Sequence, residues 1–315
     1  MSGLPSAEPF FYLRGKNMKY EEFKDALLAA LRDFYGSDAD IQLTDVVKLN
    51  DVHMDGISII HKEGDTQMNP ILYANDLYEN YIEDGIPFEE IVGRVIDTRE
   101  QNQIAPEIFD ITKFLYDWNV VSGRVYPMLI QTESNKETLE HLVSTPFLDL
   151  SVIYYIKLDT LNEAEANVKI TYPLLESLNI TADQLHEQAL YNLRNKDGLE
   201  IHSMAYILRD LLNVSDLPDA YENDTLHVLS NQSKMFGAAH LLNMDNLPAP
   251  YDNRSFYVIP SSIHEAILVD DTTIRADALD DMIRDVNSTI LSPQEILSSH
   301  CYYYDGESRQ LSICA

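Results

Sequence analysis

From Tyr20 onward, apolar residues recur every three or four positions: Phe23, Ala26, Leu27, Ala30, Leu31 and Phe34. That period predicts an amphipathic helix, and Gly36 sits where a glycine commonly ends one. The pattern then changes to alternation. Residues 41–49 and 56–61 read as two strands of a hairpin, joined by the polar turn Asn50-Asp51-Val52-His53-Met54-Asp55. Asn69-Pro70 breaks the chain, and helical periodicity returns over 72–82 and 87–102. The second of these helices opens with Pro87 in its first turn and with Glu89-Glu90 at the positive end of the helix dipole. Residues 18–120 are therefore expected to form a helix, hairpin and helix unit.

Strands carry more of the remainder. Residues 124–131 (RVYPMLIQ) read as a strand whose internal Pro127 assigns it to a sheet edge or a bulge. Segments 147–158 and 166–171 flank the polar 159–165 connection, as the arms of an antiparallel hairpin do. Helices are predicted over 173–178, 181–195 and 201–212, the second with a capping box of Thr181 and Gln184. The last third reads as a strand at 226–230, a short helix at 237–242, and strands at 255–259 and 264–269. Helices at 276–288 and 293–299 follow, then a closing hairpin across 302–313. Strands that lead directly into strands outnumber strand-helix-strand crossovers. The expectation is an α+β fold: a mixed, mostly antiparallel sheet with packed helices over 121–315, preceded by the smaller unit.

Charge narrows the function. Of 315 residues, 22 are Lys or Arg and 52 are Asp or Glu, a formal net charge of −30. Such a chain lacks the basic footprint that displaces counterions from nucleic acid, and an anionic membrane surface repels it. Direct nucleic-acid binding and membrane association are therefore not expected. No apolar run reaches the roughly 18 residues needed to span a bilayer. The first 17 residues lack the order of a secretory signal. Arg14-Gly15-Lys16-Asn17 can be written in purine-rich codons that contain a ribosome-binding sequence, so translation is expected to start at Met18, with 1–17 a misassigned leader or a disordered arm. Cys301 and Cys314, the only cysteines, are too few for a disulfide framework. They are expected to be reduced in a cytoplasmic protein, and to lie near each other if Asp305 pairs with Gln310.

Glycine is scarce, and no phosphate-cradling glycine loop, HExxH pair or calcium-loop spacing occurs; no cofactor and no metal are expected. Two stretches carry candidate chemistry. In Val258-Ile259-Pro260-Ser261-Ser262-Ile263-His264-Glu265, the set Ser262, His264 and Glu265 is the inventory of a hydrolase triad. Spacing argues for a structural turn instead: with His264 in an extended strand, Glu265 falls on the opposite face, and no nucleophile elbow is present. In Ser230-Asn231-Gln232-Ser233-Lys234-Met235-Phe236-Gly237, a strand end meets a small-residue helix whose amides could receive a ligand. Asn231, Ser233 and Ser261 are the ligand-binding candidates, and helix capping is the structural alternative. The remaining acidic groups and most of the 19 tyrosines read as solvated helix faces and half-buried strand positions.

From Met18 to the C-terminus the chain resembles a family of uncharacterised bacterial proteins described as a domain of unknown function, DUF5688-like. The resemblance rests on MKYEEFKDALL, NPILYANDLYENYIEDG, RVYPMLIQTESN, FLDLSVIYYI, HVLSNQSKMFGAAHLL, YVIPSSIHEAILVDD and VNSTILSPQEILS. The order of elements is also similar to a second bacterial family, with a proline-histidine turn between the corresponding strands. The resemblance implies no established activity, cofactor or catalytic residue. The expected function is a non-enzymatic interaction or regulatory protein with a protein partner. The alternative is a hydrolase or small-molecule-binding enzyme using the Ser-Ser-Ile-His-Glu turn.

Overall fold

The computed structural model describes residues 18–62, 71–101, 114–158, 166–212, 225–271, 276–289 and 291–314. The leader of residues 1–17, the break at Asn69-Pro70 and the 159–165 connection lie outside the described residues. The fold is α+β, and every described strand pairing is antiparallel. The chain divides into two compact units, Met1–Lys48 with His53–Ile111, and Leu49–Val52 with Thr112–Ala315.

In the first unit, helix Tyr20–Tyr35 begins where the Lys19 amide donates to Glu22 Oε2 at 3.1 Å and ends at Gly36, whose φ of 53° few side chains tolerate. Its buried Phe23, Leu27 and Leu31 pack on a sheet of β1 (Ala39–Val47), β2 (His53–His61) and β3 (Ile71–Tyr73), in that order. Ile41 lies opposite Ile59 in this sheet. Helices Ala74–Ile82 and Phe88–Gln101 complete the core with Ile91 and Val95. The predicted helix from residue 72 starts later because Leu72 and Tyr73 pair with Ile57 and Gly56 instead. Asp55 accepts from Tyr20 Oη at 2.7 Å and Lys24 Nζ at 2.8 Å, which ties β2 to the helix.

The second unit holds two sheets. In the first, β4 (Val125–Gln131) and β5 (Ser144–Phe147) flank β6 (Leu150–Lys157), which also pairs with β7 (Asn167–Lys169). β4 is an edge strand, as Pro127 requires. The strand predicted over 147–158 is split by a two-residue turn, Leu148-Asp149, with Leu148 at φ 56°. The second sheet runs β13-β12-β10-β11-β9-β8. Its strands are β8 (Leu199–Ser203), β9 (Leu226–Asn231), β10 (Phe256–Ile259), β11 (Ala266–Asp270), β12 (Tyr302–Asp305) and β13 (Gln310–Ile313). The helix expected over 201–212 is confined to Met204–Leu212, because Ile201 pairs with Leu229 in the ladder. Asp305 lies opposite Gln310, as the hairpin reading required.

Between the sheets runs a 3-10 segment, Gly237–Asn246, which packs on β4, β9 and β11 and on helix Ala182–Lys196. Helix Ala276–Thr289 places Leu279 and Ile283 against Ile259 and Val269. In residues 49–52, Asn50 and Asp51 take positive φ, and the Asp51 carboxylate accepts from the amides of Glu137 at 2.9 Å and Thr138 at 3.0 Å. It thereby caps helix Lys136–His141. No described helix is long and apolar enough to cross a membrane.

The capping box of helix Ala182–Lys196 is formed as the spacing predicted: Gln184 N donates to Thr181 Oγ1 at 3.2 Å, and Thr181 N to Gln184 Oε1 at 2.9 Å. Thr181→Ala is expected to cost about 1 kcal/mol of stability in urea denaturation. An unchanged midpoint would show that the cap carries no weight.

Candidate functional site

The two stretches singled out by the sequence meet. Ser230 Oγ donates to the His264 carbonyl at 2.9 Å, and the Phe236 amide donates to His264 Nδ1 at 3.2 Å. The rings of Phe236 and His264 stack, with centroids 5.5 Å apart and planes 15° from parallel. Phe236 has a φ of 57°, a conformation that bulky side chains seldom adopt. It is held there by His264 on one side and by the edge of Tyr155, 5.2 Å away, on the other. The next residue is glycine for a steric reason. A Cβ at Gly237 would lie against Ser230 Oγ and 2.7 Å from both the Asn231 amide and the His264 carbonyl.

His264 lies in a turn, since β11 begins only at Ala266, and the extended conformation expected at 264 is not found. Ser262 Oγ accepts from the His264 amide at 3.0 Å and so faces the backbone of His264, not its ring. Because Nδ1 accepts from Phe236, the imidazole proton sits on Nε2, 4.0 Å from Glu295 Oε1. Burial lowers the imidazole pKa, against the opposing pull of Glu295 and Glu265, so the ring is neutral. Glu265 stands near Ser261, with 3.4 Å between Oε1 and Oγ.

Asn231 is 1% exposed, and its side chain is fully used. Nδ2 donates to Asp197 Oδ2 at 2.9 Å and to the Met235 carbonyl at 2.8 Å, while Oδ1 accepts from the Met235 amide at 3.1 Å. Ser233 Oγ reaches Asn231 Oδ1 at 3.4 Å. Asp197 also accepts from His240 Nε2 at 3.1 Å, and His240 Nδ1 is buried without a partner. These groups brace the strap between β9 and the 3-10 segment. The described clefts of about 470 Å³, beside Arg194 and Asn243, and about 310 Å³, beside Arg309 and Tyr304, include none of the six candidates.

A second cluster escaped the sequence reading. Asp149, in the turn that splits the expected strand, accepts from Tyr302 Oη at 2.6 Å, Ser298 Oγ at 3.0 Å and His300 Nδ1 at 3.1 Å. Burial alone would raise the carboxyl, but the bonds from Tyr302, His300 and Ser298 together outweigh it and hold its pKa below the usual range. The His300 side chain is 54% exposed, so this dyad presents an oriented imidazole to solvent. Its local trace is the alternation Ser298, His300, Tyr302 leading into β12; the acid lies 151 positions from the histidine. Among the described residues, no three His, Cys, Asp or Glu side chains gather as metal ligands.

The profile of one family, described as a family of unknown function (DUF5688), matches residues 20–306. The chain belongs to that family. No curated protein and no solved structure matches it. Membership in DUF5688 therefore brings no assigned site, and the roles of these side chains rest on their geometry.

Two outcomes test that geometry. Gly237→Ala is expected to cost about 2–3 kcal/mol in equilibrium unfolding, because the added methyl meets backbone on two sides; wild-type stability would refute the close approach. Neutral His264 contributes its stability in full above about pH 6.5, the ordinary imidazole value, and loses it as acid protonates the unfolded chain first. Between about pH 8 and about pH 5, the wild type should lose more stability than His264→Gln. Equal losses would assign the pH dependence to other groups.

Proposed function

We propose that the protein works by binding a protein partner with a basic surface, not by catalysis. One observation supports this above others: the chain itself engages the His264 Nδ1, Ser262 Oγ and Asn231 amide groups that a site would use. His264 Nδ1 is taken by the Phe236 amide, Ser262 Oγ by the His264 amide, and the Asn231 amide group by Met235 and Asp197. A general base needs a free ring nitrogen within reach of the proton it removes. The competing hydrolase reading with Ser262, His264 and Glu265 requires the nitrogen that Phe236 occupies, and has less support. The charge of −30 favours a partner of opposite sign and steers its approach.

The test is salt-dependent capture with the full chain as bait. A basic protein should be retained in stoichiometric amount at about 0.1 M salt, where the screening length is about 10 Å, and released near 1 M, where it is about 3 Å. Failure to retain any protein above background at the lower salt counts against the proposal, and so does retention indifferent to salt.

A further inference from the structure

We propose that Cys301 and Cys314 form a thiol–disulfide exchange site, a cross-strand pair oxidised by a small-molecule disulfide of the glutathione type and reduced again by a small thiol. The register places them together. Tyr302 lies opposite Ile313, so one step further along the hairpin Cys301 faces Cys314, and the Cys314 amide donates to the Cys301 carbonyl at 2.9 Å. The two Sγ atoms are 2.7 Å apart, well inside the non-bonded contact of two sulfurs, and both thiols are free. Directly opposed antiparallel residues have Cα atoms about 4.5–5.5 Å apart, within the range of about 4.4–6.8 Å that disulfides span. The sulfurs, already 2.7 Å apart, have only to draw in to the S–S bond length of about 2.0 Å.

Access sets the order of events. Cys301 is buried against Ile259, Leu279 and Ile283, whereas Cys314 is partly exposed near the chain end. Cys314, after giving its proton to solvent, attacks one sulfur of the small disulfide; a mixed disulfide forms and one small thiolate leaves. Cys301 then loses its proton and attacks Cys314 Sγ, forming the Cys301–Cys314 bond and expelling the second thiolate. The two electrons lost by the protein thiols reduce one small disulfide to two small thiols. Burial holds both thiols above their ordinary pKa, aided at each by the nearby Asp280 carboxylate, so the thiolate fraction is small and exchange is slow. The reduced protein expected in a cytoplasm is then one of two states.

The consequence falls on β13, which ends the order of its sheet and pairs with β12. A covalent bond at the open end of the hairpin removes the freedom of that strand to peel away. The test uses the full chain equilibrated with oxidised glutathione or with dithiothreitol. The oxidised sample should lose the mass of two hydrogens, and peptide mapping should place the bond between Cys301 and Cys314. Its Tm should rise by about 5–10 °C, the effect expected of closing a short loop in a domain of this size. Cys314→Ser, folded by circular dichroism, should abolish both changes. A stable glutathione adduct on Cys314 with no internal bond, or two free thiols after oxidation, would overturn the proposal.

Discussion

The close approach of three backbone segments at Gly237 is the constraint on which the second unit is built. The Asn231 amide, the His264 carbonyl and the Gly237 α-carbon occupy a space that admits no side chain. That crowding fixes where β9 ends, where the turn before β11 sits and where the 3-10 segment begins. Phe236 absorbs the conformational cost of the turn, and non-glycine residues in that region are commonly strained by about 1–3 kcal/mol. The stacked His264 ring, the edge of Tyr155 and the bond from the Phe236 amide offset it. Since Tyr155 belongs to β6, the same corner links the two sheets.

A few carboxylates in this acidic chain are structural. Asp51 caps a helix, Asp55 anchors Tyr20 and Lys24, Asp197 braces Asn231 and His240, and Asp149 gathers Ser298, His300 and Tyr302. Taking a carboxylate out of water costs several kcal/mol, and a hydrogen bond to a charged group returns about 1.5–3 kcal/mol. Three such bonds at Asp149 are enough for retention of the charge. The remaining carboxylates contribute to the field around the molecule, which acts on partners and solubility more than on the fold.

Elements with a strong local pattern were legible in the sequence. The helix from Tyr20, the Thr181 capping box, the edge position of the Pro127 strand and the Asp305–Gln310 register all follow from neighbours a few residues apart. Misreadings occurred where a ladder or a turn overrode the local period. Ile201 was claimed by pairing with Leu229, and Leu148-Asp149 became a turn inside an apolar run that resembles one strand. The partners that join the 230–237 and 260–265 segments left no trace in local spacing. Nothing in the spacing of Ser262 and His264 says that Phe236 supplies the donor to the ring. The Asp149 cluster joins residues about 150 positions apart and left only an alternation of three side chains to find.

β4 lies at the border of its sheet, yet most of its residues are buried. Pro127 removes one amide from its row, and Asn192, from helix Ala182–Lys196, donates to the Val125 carbonyl at 2.8 Å and the Ser122 carbonyl at 2.7 Å. A foreign strand approaching this border would find one donor missing, one acceptor already engaged and a helix packed against the strand. Sheet extension from one molecule to the next is thereby discouraged by the backbone itself, and that safeguard persists where salt has screened the repulsion between acidic copies.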